Sequence, residues 1–366
     1  MPSDKIRVGI IGANPNYGWS GRAHFPALLN LPEFQVVALC TTQPETADEA
    51  AKHFGIPLAF HNYTDLIAHP DIDVVSVSVR VPFHRAMVLA ALKADKHVFC
   101  EWPLGVNLSE AEEMASLAKS KGMFHMIGLQ AQCDPVLLRL KELVTEGYLG
   151  QVLSCTMTTF VDGTIHLQSR TMWEADKKNG AHALSIGCGH TLDALAFCIA
   201  DFEQISCQVT TELKERWVGD KNSNVEVTAP DHILINGKLI NGAAVSATVA
   251  YVPWFGSGWK MEVYGSAGAL VASSDSYPQI SRPRLKGAKK TDDSLQDIPI
   301  PKNLTWIPQE VPQGPPFNVA QMFRRFAKGI NTGQPVQPDF EHAVKLHRLL
   351  ETVESSSESG QRLKVR

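Results

Sequence analysis

The sequence predicts an α/β protein: a Rossmann-type doubly wound parallel sheet, then an α+β domain built on a large, mostly antiparallel open sheet. Three observations carry this reading. Strand-like apolar runs alternate with helix-like segments through the first third of the chain, and a glycine-rich turn follows the first run. After about Gly150, long alternating segments follow one another through Asn-Gly and Gly-Ser turns. The expected division is 1–130 for the doubly wound domain and 131–366 for the α+β domain, with the closing helix at 342–355 expected to pack back toward the first.

In order, Ile6–Ile11 is a buried-strand run and the segment after His24 is helical. Gln35–Leu39 is a second strand, and Glu45–Phe54 a charged, alanine-rich helix. Ile72–Val79 is a third strand, Arg85–Ala94 a helix and His97–Cys100 a fourth strand. Ser109 and Glu112 form a Ser-x-x-Glu box that opens the next helix, and Phe124–Leu129 is a further strand. Beyond Gly150, strands are expected at Gln151–Val161, Gln204–Val218, His232–Ile240, Gly242–Val252 and Lys260–Tyr264, interrupted by a helix over Ala181–Ala200. Lys286–Pro316 reads as a surface excursion and His342–Ser355 as a closing helix.

The composition narrows the function classes. With 366 residues, 44% of them hydrophobic, there is apolar material for two cores. Lys plus Arg is 34 against 38 Asp plus Glu, a net charge of −4, so there is no electrostatic reason to expect nucleic acid or a membrane surface as partner. The start leads straight into a strand and reads as neither signal nor transit peptide, and no apolar run is long enough for a membrane helix. The seven cysteines, without a Cys-x-x-Cys pair, read as buried thiols of a cytoplasmic protein. No metal-ligand spacing rises above chance.

The glycine-rich turn runs from Gly12 through Asn14, Tyr17, Gly18 and Trp19 to His24. Glycines between a first strand and first helix let backbone N–H groups approach a pyrophosphate. The turn is about four residues longer than the strict G-x-G-x-x-G spacing, so alone it balances dinucleotide binding against an ordinary glycine loop. The second strand ends in Cys40-Thr41-Thr42-Gln43, with no acid before Glu45. A carboxylate there would repel a 2′-phosphate; two hydroxyls permit one, so NADP is favoured, with NAD possible.

Together with this loop, Glu101-Trp102-Pro103 and Gly189-His190-Thr191-Leu192-Asp193 resemble the glucose–fructose oxidoreductase / inositol dehydrogenase family over essentially the whole chain. Family members carry Glu-Lys-Pro after the fourth strand, and a helix with Asp-x-Gly-x-His-x-x-Asp that aligns with Ile186 to Asp193. The family lysine therefore falls at Trp102 and the helix aspartate at Ile186. Both replacements, with Asn14–Trp19, Leu129-Gln130 and Pro230–Leu234, point to a branch that resembles the fungal galactose-regulon repressor. That repressor binds a nicotinamide dinucleotide.

The resemblance implies a nicotinamide cofactor contacted by Glu101, with Val79 and His84 completing the set, and a substrate-facing His190. Trp102 walls the pocket, since an indole cannot replace an ammonium as acid. Gln130 and Gln132, at a strand's carboxyl end, are pocket candidates, and Trp173 is a further one. His182 and His190, eight residues apart, are expected on one helix face. Asp193 orients His190 or closes the helix's polar side. The resemblance also implies a homodimer through the second domain's open sheet face. The reading is an NADP-dependent oxidoreductase of a small carbonyl or hydroxyl compound, or of an activated C=N or C=C group. The alternatives are a non-catalytic dinucleotide-binding regulator and a non-redox enzyme that retains the dinucleotide.

Overall fold

The computed structural model describes residues 5–162 and 166–365, and the chain divides into two compact units. Unit 1 contains residues 1–130 and 306–344; unit 2 contains 131–305 and 345–366. Residues 306–344, grouped with the second domain in the sequence reading, thus cluster with the first.

In unit 1, β1 (Ile6–Ile11), β2 (Phe34–Cys40), β3 (Leu58–Phe60), β4 (Val74–Val77), β5 (His97–Glu101) and β6 (His125–Gly128) form a parallel sheet in the order β3-β2-β1-β4-β5-β6. This is the doubly wound order, whose direction reverses between β1 and β4. The runs lack alternation because both faces are covered: Val74–Val77 is buried throughout. The helix Leu108–Lys121 is capped by Asn107, whose side chain accepts from Glu110 N, rather than by Ser109. Asparagine caps as well as serine does, so the earlier residue starts the helix.

The helix Pro315–Thr332 replaces the end of the expected surface excursion. It starts on Pro315-Pro316, stops at Gly333 (φ +67°) and buries Val319, Met322, Phe323 and Phe326. Phe323 stacks on Phe99 of β5 at 4.3 Å, seating this late helix on the parallel sheet.

In unit 2, β7 (Val152–Asp162), β8 (His166–Leu167), β9 (Phe202–Thr210), β10 (Glu215–Val218), β11 (Ser223–Glu226), β12 (His232–Leu239), β13 (Ala244–Val252), β14 (Gly258–Gly265), β15 (Gly268–Ser274), β16 (Arg284–Lys289), β17 (Gln296–Asp297) and β18 (Leu363–Lys364) form two sheets. The large one runs β17-β16-β15-β14-β7-β13-β12-β9-β18, antiparallel except where β13 lies parallel to β7. The small one runs β11-β10-β8. Alternation sets one face: Cys155, Met157, Ile233, Ile235, Val245, Val249, Met261 and Val263 are buried, while Thr156, Leu234, Asn236 and Lys260 on the other face are exposed. The expected strand Gln204–Val218 is broken into β9 and β10. The buried Asp231 carboxylate accepts from Glu212 N (2.8 Å) and Leu213 N (2.9 Å), taking the donors a continuous ladder would need.

Candidate functional site: a dinucleotide cradle and a histidine helix

The turn after β1 sits at the switch point of the parallel sheet. Gly12 has φ +97°, and a Cβ there would lie 2.1 Å from the Ser78 carbonyl oxygen, so no other residue fits. Val79 packs on the same spot. The extra turn residues have their own order: Asn14 Oδ1 accepts from Asn16 N (2.9 Å) and Tyr17 N (3.3 Å), an Asx turn. Tyr17 is exposed. Gly18 has φ +98° with open space where a Cβ would stand. Ser20 Oγ donates to Gly12 O, and Trp19 leads into a π-helical turn, Ser20–His24, ahead of the helix Phe25–Leu28. A π turn inserts an extra residue per turn, a device common at functional sites. Here it ends on a fully buried His24.

His24 is the centre of a chain of hydrogen bonds along the carboxyl ends of β4, β5 and β6. Its Nε2 lies 2.6 Å from Glu101 Oε1 and its Nδ1 2.9 Å from Ser76 Oγ. Nε2–H donating to the carboxylate and the Ser76 hydroxyl donating to Nδ1 satisfies both contacts. Glu101 Oε2 accepts from Gln130 Nε2 at 2.8 Å. Both Glu101 oxygens therefore accept from protein donors, and the carboxylate lies over Gly128, where a Cβ would stand 2.5 Å from Oε2 and Glu101 would have to shift. The His24 ring also meets Phe99 and Phe323 edge-on, each at 5.5 Å. His84 is buried with Nδ1 2.8 Å from Pro103 O and Nε2 3.0 Å from Val79 O. Burial holds its imidazole below the ordinary range, opposed by those two carbonyls and the Glu101 charge. Trp102 is buried, 5% exposed, at the end of β5.

At the end of β2, Thr41 Oγ1 donates within its own turn, to Gln43 O (3.0 Å), and shares a hydrogen bond with Thr46 Oγ1 (2.7 Å). Thr42 is exposed. Glu49, one turn beyond Glu45 on the helix Pro44–Phe54, accepts from Asn16 Nδ2 at 3.3 Å.

These residues suit a dinucleotide. Gly18 leaves the backbone open to a pyrophosphate. Around the turn, the Trp19 indole N–H and the Ser78 hydroxyl are buried without hydrogen-bond partners among the described residues. Gly12, Asn14 and Gly18 lie in this one turn.

The second group lies in unit 2. The helix Gly189–Cys198 follows a π-helical turn, Ala183–Cys188, which packs on β12 and β13. Gly187 permits the approach: a Cβ would lie 2.6 Å from Tyr277 Oη and 3.4 Å from Val249. His182 is the N-cap of the turn, its Nδ1 accepting from Ser185 N at 3.3 Å. It has extended backbone (φ −152°), so it does not share a helix face with His190 as the sequence spacing suggested. Burial, helped by Lys177, pushes its pKa down to about 4. His190 is buried on the helix proper. Thr191 Oγ1 meets Thr159 Oγ1 of β7 at 3.0 Å, fixing the helix to the sheet. Asp193 accepts from Gln132 Nε2 at 2.8 Å. Trp173 lies half-buried in the short 3₁₀ turn Met172–Ala175, its carbonyl accepting from Asn179 Nδ2 at 2.6 Å.

The structure thus gathers Gly12, His24, Val79, His84, Glu101 and Gln130 in unit 1, and Gln132, His182, His190 and Asp193 in unit 2. The sequence reading missed Ser76, a hydroxyl inside a valine run, and Phe323, on the unexpected helix. No group of three His, Cys, Asp or Glu side chains among the described residues is placed to hold a metal ion. No helix among them is long and apolar enough to cross a membrane.

Comparison with known proteins agrees with this architecture. Residues 6–129 match the oxidoreductase family with an NAD-binding Rossmann fold, and residues 135–273 match the Gal80p C-terminal domain. The chain is 31% identical over 248 residues to the dehydrogenase aclE of Aspergillus oryzae, covering 65% of this chain and 68% of that one. It is 29% identical over 256 residues to the galactose/lactose metabolism regulatory protein GAL80 of Saccharomyces cerevisiae, covering 65% of this chain and 58% of the regulator. A levoglucosan dehydrogenase in complex with NADH and levoglucosan shares the fold, with a TM-score of 0.86 at 23% identity, covering 99% of this chain and 100% of that one.

Proposed function

This chain belongs to the oxidoreductase family with an NAD-binding Rossmann fold, and from that premise we propose that it is an NADP-dependent oxidoreductase. Its substrate is a small carbonyl or hydroxyl compound, or an activated C=N or C=C group. The observation that carries the reading is the turn after β1: Gly12 locked against Ser78 at the switch point, with open space above Gly18. A bound nicotinamide would supply or accept the hydride. The chain's own residues hold the pyrophosphate at Gly12–Gly18, leave the end of β2 without a carboxylate at Thr41 and Thr42, and move a proton at His190. Glu101 acts as a positioning residue through His24 and Gln130. NAD is the alternative cofactor. The seven cysteines are free thiols, six of them buried, which supports a reducing cytoplasmic setting. The open face of the large sheet is the proposed homodimer surface.

A second reading, a dinucleotide-binding regulator, is favoured by one feature: Trp102 and Ile186 stand where the family has a lysine and an aspartate, and neither transfers a proton. The Gal80p-type match over residues 135–273 supports it too. Fluorescence titration with NADPH and NADH, then hydride loss to a panel of carbonyl compounds, tests both. Binding with turnover supports the enzyme, binding without turnover the regulator, and no binding refutes both.

A further inference from the structure

The chain of hydrogen bonds through His24 has a fixed direction, and it ends on an acceptor with no donor. His24 Nε2 faces a carboxylate oxygen at 2.6 Å, so that nitrogen carries the proton, and Nδ1 accepts from Ser76 Oγ at 2.9 Å. An ionised carboxylate only accepts, so the Gln130 group 2.8 Å from Glu101 Oε2 is the amide nitrogen. The amide is thereby held from turning over, since reversal would set its oxygen against the Glu101 carboxylate. Gln130 is 1% exposed, and its Oε1 is buried with no hydrogen-bond partner among the described residues. A buried acceptor left empty costs more than the bond it forgoes, so such an atom calls for a donor from outside the chain. All four residues belong to unit 1, with Glu101 closing β5 and Gln130 just beyond β6. In a doubly wound sheet the dinucleotide straddles the switch point. The half containing β2 takes the adenosine, which leaves the nicotinamide nucleoside to the half containing β4, β5 and β6.

We infer that Gln130 Oε1 accepts a hydrogen bond from the carboxamide N–H of a bound nicotinamide. Ser76, His24 and Glu101 are then positioning residues, which make the Gln130 oxygen, and not its nitrogen, the group offered to the ligand. This gives the fully buried His24 a part in recognition that needs no contact with the cofactor. A substrate hydroxyl has the same donor chemistry; the placement of the whole relay in the dinucleotide unit favours the carboxamide. The inference rests on the dinucleotide reading and deepens it, making the carboxamide amino group a determinant of affinity.

The test titrates the full chain by calorimetry with NADP and two of its analogues. The thionicotinamide analogue keeps the amino group and exchanges the carboxamide oxygen for sulfur; the acetylpyridine analogue keeps the oxygen and exchanges the amino group for a methyl. The corresponding NAD series is run beside them. The wild type should bind the acetylpyridine analogue roughly tenfold or more weakly than the parent, and the thionicotinamide analogue within about threefold of it. Gln130→Met, similar in size but without the acceptor, should bring the acetylpyridine and parent affinities within about threefold of each other. The ratio isolates the contact, because the lost bond to Glu101 enters both affinities alike. Gln130→Asn, one methylene shorter, should lose the preference too and serves should the methionine variant not fold. Equal wild-type affinities would leave the Gln130 oxygen to a substrate hydroxyl and overturn the assignment; a preference that survives in Gln130→Met overturns it as well. In both cases the dinucleotide still binds and that reading stands. A wild type that binds no member of either series removes the reading and the inference together.

Discussion

Gly12 and Gly18 carry almost the same φ, +97° and +98°, but differ in what a side chain would meet. Placing an L-residue in this half of the map costs about 1–2 kcal/mol at either position. The backbone penalty therefore nearly cancels when Gly12→Ala is compared with Gly18→Ala, and sterics remain. At Gly18 a Cβ meets no atom within 4 Å; at Gly12 it lies 2.1 Å from Ser78 O. A carbon and a carbonyl oxygen in ordinary contact stay about 3.3 Å apart. The end of β1 or the Ser78 peptide must therefore move by roughly 1 Å, loosening the bonds from Ser78 N to Ile11 O (3.1 Å) and Gly12 N to Cys40 O (3.0 Å). Such overpacking adds about 1–3 kcal/mol. In urea unfolding at constant m, Gly18→Ala should lose about 1–2 kcal/mol and Gly12→Ala about 2–5 kcal/mol. NADPH fluorescence should show at least about a tenfold weaker affinity for Gly12→Ala. Equal losses of stability in the two variants would refute the role given to Ser78.

Under the enzyme reading, His190→Ala should lower kcat by about a hundredfold while NADPH affinity stays nearly unchanged; unaltered turnover would remove His190 from the chemistry. Acid should destabilise the fold through His182 and His347, both buried and both pushed down to about 4. The unfolded chain binds their protons first as pH falls, so stability is full above about pH 6.5, declines toward pH 4 and levels off below it. Each contributes about 3 kcal/mol over that window, and His182→Asn, which keeps a capping acceptor, should remove about half of the slope in urea midpoints measured between pH 4 and 7. Thr158 lies on β7 between Thr248 and Lys260 on the open sheet face; Thr158→Arg should turn the proposed dimer into a monomer in sedimentation velocity, and an unchanged dimer would move the interface elsewhere.

The parallel sheet was legible because its signals are local: apolar runs such as Val74–Val77 and a glycine turn at the first strand's end need no knowledge of the rest of the chain. The helix Pro315–Thr332 carried a readable signal as well, with Val319, Phe323 and Phe326 at helical spacing behind Pro315-Pro316. Its proline-rich approach hid that pattern. Other features depend on distant residues. The break between β9 and β10 is set by Asp231, eighteen or more positions away, and the His24 bonds join Ser76 and Glu101, 52 and 77 residues on. The His182–His190 pair failed for a geometric reason, since a cap and a π turn break the uniform period on which an eight-residue spacing depends.

Under the oxidoreductase reading the source of the proton is the central question, because Trp102 stands where the family has a lysine. The local geometry of three other histidines bears on it. His24 is shut between Ser76 and Glu101, and both His84 nitrogens face carbonyl oxygens. His182 spends Nδ1 on its cap and is held too far down to carry a proton at neutral pH. Under the proposed reading the proton falls to His190, an imidazole of weaker charge-stabilising power than an ammonium positioned for the purpose. A site with such an acid works best where the transition state asks little of it, as at a carbonyl already activated by a neighbouring electron-withdrawing group. A carboxylate beside the carbonyl is one such group. The loss of the lysine then fits a reading in which the acid is weak because the substrate brings part of its own activation.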